Sequence, residues 1–125
     1  MDGDAVLGPI LGPGLRVLFV GINPSLRSAE VGHHFARPGN RFWPALHRAG
    51  ITPHQVDPSR GMTETDARML VERGVGITNI VNLATARADE LRAADLRAGG
   101  DRLRAFVAAH RPVVVAVLGL TAYRQ

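Results

Sequence analysis

The spacing of apolar and polar positions divides the chain into alternating strand-like and helix-like segments. Residues 15–20 (LRVLFV) form a short branched run bounded by glycines, as a buried strand does. Residues 76–81 (GITNIV) and 113–118 (VVVAVL) read the same way. Between these runs the apolar period lengthens to that of helices. Pro24 suits the first turn of a short helix over residues 25–30. Asn40 is a candidate N-cap for a helix over 41–49, with Phe42, Leu46 and Ala49 facing inward. Thr63 and Asp66 have the spacing of a capping box and open a helix that runs to Arg73, with Ala67, Leu70 and Val71 on its core side. Residues 82–94 read as a polar connection. Residues 100–110 are amphipathic through Leu103, Phe106, Val107 and His110, and Pro112 ends them.

Strands alternating with helices predict an α/β fold around a parallel sheet, in one domain over residues 1–125 with a flexible lead over 1–14. The third run is the odd one. Its apolar residues do not alternate with polar ones, which describes a central strand covered on both faces. An edge strand normally carries charges, prolines or bulges. Either an earlier element flanks it on both sides or a further strand belongs beyond it. The tendency of sequential strands to neighbour one another favours the further strand.

Composition then removes chemistry. With 46% apolar residues the chain can bury a core. Cysteine is absent, which excludes disulfides, thiolate catalysis and Cys-ligated metal clusters. Lysine is absent as well, so all 15 basic side chains are Arg and none can act as an amine nucleophile. No signal peptide is expected over residues 1–14, and the longest apolar run is too short to span a bilayer. A soluble, cytoplasmic protein without a membrane partner is expected. The net charge of +4 is modest, but residues 31–56 hold no Asp or Glu. That stretch interleaves Arg37, Arg41 and Arg48 with four His and with Phe35, Phe42 and Trp43. Arg among aromatics suits phosphates and stacked bases; a helix with a solvated basic face is the plainer reading. His33 and His34 are adjacent, and neighbours rarely both face one ion, so no metal is expected.

In parallel α/β sheets, ligands bind beyond the carboxyl ends of the strands. The first two of those ends carry Asn23 and Asn79, amides that can orient a water or read a base edge but cannot act as general bases. Asn23 before Pro24 could equally be a turn former, and Asn79 could simply satisfy backbone groups. Phe42 and Trp43 open a helix and read as core, whereas Phe35 sits in a polar loop bounded by Gly and Pro. Asp89 and Glu90 follow the second strand and read as solvated.

Gly21-Ile22-Asn23-Pro24, followed by Gly32-His33-His34-Phe35-Ala36-Arg37-Pro38-Gly39-Asn40-Arg41-Phe42-Trp43, resembles the signature of the mismatch-specific uracil/thymine branch of the uracil-DNA glycosylase superfamily. Gly76-Ile77-Thr78-Asn79 and Ala98-Gly99-Gly100 match the layout of that family, and the resemblance runs from about Arg16 to Tyr123. It implies a three-layer α/β/α sandwich. Members continue into a further strand and a second Asn-Pro loop bearing an apolar wedge, so the chain is expected to lack the last strand and helix of that fold.

The resemblance also implies a reaction: hydrolysis of the N-glycosidic bond of uracil, or of thymine, mispaired with guanine in duplex DNA after the base flips out of the stack. Asn23 matches the water-positioning asparagine. Backbone N–H groups at Ile22 and its neighbours would stabilise the departing base. Phe35 matches the aromatic that stacks on the flipped base, Asn79 an asparagine at its polar edge, and Thr85 a residue lining the same pocket. Ser25, Arg37, Asn40 and Arg41 are the candidates for DNA contact. No cofactor and a monomer are expected, and without Lys the product is an abasic site in an uncut strand. Two other functions remain open on the sequence: a non-catalytic binder of mismatched or abasic DNA, and a hydrolase of free nucleotides.

Overall fold

The computed structural model describes residues 9–24, 28, 32–36, 40–58, 64–82, 85 and 91–118. In chain order its elements are β1 (Val17–Gly21), α1 (Phe42–Arg48), α2 (Glu64–Glu72), β2 (Val75–Asn79), α3 (Ala93–His110) and β3 (Val114–Val117). The strands form one parallel sheet in the order β2-β1-β3, with Val17 opposite both Val75 and Val114.

β1 is the central strand, and its alternate side chains separate the two faces. Leu18 and Val20, both fully buried, pack with Ile80, Val81 and Leu96, and with Leu103, Phe106 and Val107 of α3. Val17 and Phe19 face the other way, into Trp43 and Leu46 of α1, Leu70 of α2, and Val75 and Ile77 of β2. Helices therefore cover both faces, in the three-layer α/β/α arrangement that was expected. The strand order explains why. β1 connects to β2 on one side through α1 and α2, and β2 returns past β1 to β3 through α3. Right-handed crossovers that reverse direction must place their helices on opposite faces.

Three sequence readings bear on these elements. First, among the described residues β3 pairs with β1 alone, and Val113, Val114 and Val115 are 79%, 53% and 38% exposed. Its apolar run is uncovered on one side, which agrees with the expected further strand beside it rather than with an earlier element on both sides. Second, α3 begins at Ala93, ahead of the helix expected over 100–110, and takes in the end of the expected polar connection. The expected helix opened at Gly100, but Gly99 lies inside α3, where tertiary packing uses it as a close-approach point. A Cβ there would stand 2.2 Å from the Ile80 carbonyl oxygen. The true start is fixed by the Asp95 carboxylate, which accepts from the Arg92 backbone N–H at 3.0 Å and from its guanidinium at 3.2 Å. Third, Ala49 lies exposed beyond α1, where Trp43 and Leu46 are the buried residues. Trp43 occupies the inward position and donates its indole N–H to the His34 carbonyl at 2.9 Å.

Smaller offsets follow the same logic. The cap of α1 shifts by one residue to Arg41, yet Asn40 still satisfies an orphan donor, its Oδ1 accepting from the Phe42 N–H at 2.8 Å. Thr63, half of the expected capping box, and most of the helix expected over 25–30 lie outside the described residues. Within the segment expected to be a flexible lead, Ile10 exchanges backbone hydrogen bonds of 2.9 and 3.0 Å with Ile77. No helix among the described residues is long and apolar enough to cross a membrane.

Candidate active site

Gly21 and Asn79 end β1 and β2 as register partners. Beyond them the two chains stay joined. The Ile80 N–H donates to Gly21 O, the Val81 N–H to Ile22 O (both 2.9 Å), and the Thr85 N–H to Pro24 O at 3.3 Å. This continued pairing carries residues from distant parts of the sequence along the carboxyl edge of the sheet, where open α/β folds bind ligands.

Its consequence is that Asn23 and Thr85 meet. Asn23 Nδ2 donates to Thr85 Oγ1 at 2.9 Å, and both side chains are half-buried. The donation to Thr85 orients the Asn23 amide, whose oxygen is its acceptor end.

A second group lies one step back along β1. Gly21 has no side chain, and the space is used: Asn79 Oδ1 lies 2.6 Å, and the rim of Phe35 3.4 and 3.5 Å, from where a Cβ would stand. Phe35 stacks on Phe42 at 4.1 Å between centroids with a 34° tilt. Its backbone is in the left-handed region, φ 55°, which for a bulky residue costs on the order of 1–3 kcal/mol. The flanking bonds hold it there. On one side His34 O accepts from Trp43; on the other, the Ala36 N–H donates to the buried Ser28 Oγ at 2.9 Å. Ser28 O also accepts from the Gly32 and His33 N–H groups at 2.9 and 3.1 Å.

Asn23, Thr85, Ile22, Phe35 and Asn79, five residues chosen from sequence, thus lie together along one edge. Asn40 and Arg41 are exposed at the start of α1. Ser25, Arg37, Asp89 and Glu90 lie outside the described residues. Sequence reasoning missed Gly21, Ser28 and His34 as parts of the site. Gly21 was visible as the residue between a strand and an Asn-Pro turn, while Ser28 and His34 carried no signal beyond standing in the same loop. Among the described residues no cluster of three or more His, Asp or Glu could hold a metal ion. A groove of about 610 Å³ lined by Arg16, Glu72, Arg73 and Val114 lies at the amino ends of the strands, the opposite end from these amides.

The arrangement sets two amides and an aromatic ring along one edge of the sheet, groups chemically able to orient a water and to meet a flat ring. The model of the uracil DNA glycosylase superfamily matches residues 9–125. The chain belongs to that superfamily, whose members are DNA glycosylases, hydrolases that remove uracil from DNA.

Proposed function

We propose that the chain is a monofunctional, mismatch-specific glycosylase that removes uracil, and thymine, paired with guanine in duplex DNA. The observation that carries this reading is the Asn23–Thr85 hydrogen bond of 2.9 Å, set beside Gly21, Phe35 and Asn79.

The target nucleotide leaves the stack, at a cost of a few kcal/mol that falls for a mispaired base; G·U and G·T pairs are favoured for that reason. Phe35 receives the flipped ring on the face away from Phe42, and Asn79 engages its polar edge. Thr85 holds the Asn23 amide so that its oxygen accepts a hydrogen bond from the attacking water. The water oxygen bonds to C1′ as the C1′–N1 bond breaks. The base departs with the bonding electron pair, and the proton lost by the water is free to neutralise it. Backbone N–H groups of the Ile22 turn stabilise the charge developing on the base. A neutral amide assists the water less than a carboxylate would, so turnover is slow. With no Lys to form a Schiff base, the product is an intact strand with an abasic site. Arg37 and Arg41, with Ser25 and Asn40, bind the DNA backbone flanking the lesion.

Product analysis tests this reading. A duplex with one G·U pair should yield free uracil and a strand that breaks only after alkali. Tight binding without base release would make the chain a binder of mismatched DNA instead. Release from free deoxyuridine as fast as from duplex would make it a nucleotide hydrolase.

A further inference from the structure

Among the described residues, the His34 imidazole is the most enclosed titratable group beside the site. Its residue is 3% exposed, its carbonyl is held by Trp43 at 2.9 Å, and its ring lies 6.2 Å from that of Phe35. Its Nδ1 stands 3.5 Å from Nδ2 of Asn79, a residue itself 7% exposed and fixed in register by β2. The other end of that amide, Oδ1, lies on the Gly21 side, where the Phe35 rim also stands.

An amide nitrogen only donates, so this long contact is a hydrogen bond when Nδ1 carries a lone pair and the ring proton sits on Nε2. The Asn79 amide is then held with its donors toward the imidazole and its acceptor toward Gly21 and Phe35. The alternative tautomer presents an N–H at Nδ1. Two donors would face each other, and the amide would turn over to place its N–H groups beside Phe35. The proton position on one buried ring therefore selects whether this edge of the pocket accepts or donates.

We propose that His34 is a positioning residue that sets base specificity. In its Nε2–H form it holds Asn79 with the oxygen toward the pocket, which suits the N3–H of uracil and thymine and opposes cytosine, whose N3 is an acceptor. Two buried acceptors facing each other both lose their partners, the situation in which polar sites discriminate most strongly. The inference rests on Asn79 being the reader of the pyrimidine edge.

Two measurements on the full chain test it. Long-range ¹H–¹⁵N correlation at neutral pH should show His34 with a pyridine-like Nδ1 and a pyrrole-like Nε2. A pyrrole-like Nδ1 would overturn the proposal whatever the activity. Single-turnover rates should then be compared on duplexes carrying 5-fluorouracil or 5-fluorocytosine opposite guanine, the fluorine making each base a better leaving group. His34→Leu should lower the preference for fluorouracil by about tenfold, and Asn79→Ala should lower it at least as far. Damage to the fold alone would slow both substrates together and leave their ratio. A ratio unchanged by His34→Leu but lost in Asn79→Ala removes the role of His34 and keeps that of Asn79. A ratio unchanged by both removes the base-edge reading itself.

Discussion

The Asn23 amide and the Thr85 hydroxyl, 62 residues apart in sequence, meet at 2.9 Å because the loops leaving β1 and β2 continue to pair beyond the strands. Thr85 is therefore expected to act through Asn23 rather than on the base. Thr85→Val, which keeps the shape and removes the hydroxyl, should slow single-turnover excision by about tenfold, the worth of one net hydrogen bond of about 1.4 kcal/mol. Thr85→Ser should retain most of the rate. Equal loss of DNA affinity in Thr85→Val would contradict the assignment.

Gly21 is expected to be intolerant of the smallest side chain. A Cβ would displace the Asn79 oxygen 2.6 Å away and crowd the Phe35 rim. Because the atoms that must give way are side-chain atoms of the site, Gly21→Ala should reduce kcat/KM far more than it reduces Tm. A variant with full activity would show that neither group needs its observed position.

Gly99→Ala provides a test confined to the fold. In an exposed helix interior this change stabilises by up to about 1 kcal/mol. Here the new methyl would meet backbone atoms of Ile80 at 2.2 and 2.9 Å, and backbone cannot swing aside. The sign should reverse, with a loss of about 1–3 kcal/mol from overpacking. Denaturant unfolding measures it, and a stabilised variant would contradict the packing of α3 against Ile80.

The start of α3 carries a pH signature. The hydrogen bond from the Arg92 side chain, helped by its backbone N–H, holds the Asp95 carboxyl below its ordinary range. A lowered folded value means the stabilisation is present at neutral pH and is lost as pH falls below about 4, through the unfolded value toward the folded one. The pair is exposed, so the effect is small and screened by salt. The Tm gap between wild type and Asp95→Asn should be open at neutral pH and close in acid. A gap independent of pH would contradict it.

Phe35→Ala should weaken excision by the equivalent of about 1–3 kcal/mol of lost base stacking. Tm should fall as well, since alanine keeps the left-handed backbone and removes the ring packed on Phe42. Comparing excision with Tm separates the two contributions.

Much of this architecture was legible in the sequence because it rests on local periodicity. The apolar runs at β1 and β2 and the Phe42–Leu46 helix announce themselves through spacing and flanking glycines. What escaped was set by contacts distant in sequence. The start of α3 was hidden because Gly99 and Gly100 oppose helix locally, and only the approach of Ile80 explains Gly99. That β3 lies beside β1 rather than β2 was hidden, because an apolar run calls for cover without naming which strand supplies it. In the site, Asn23 and Asn79 were visible from where strands end, and Phe35 and Thr85 from a resemblance. Ser28 and His34 were not visible, since bracing a left-handed backbone and orienting an amide leave no pattern along the chain.

The central claim is that Asn23 positions the hydrolytic water. Single-turnover base release from a duplex with one central G·U pair, measured for the wild type and for Asn23→Ala with affinity for the same duplex measured in parallel, tests it most directly. Release by the wild type, and a loss of at least about a hundredfold in the variant at unchanged affinity, is the predicted result. Undiminished release by Asn23→Ala, or a loss of binding equal to the loss of rate, would contradict it.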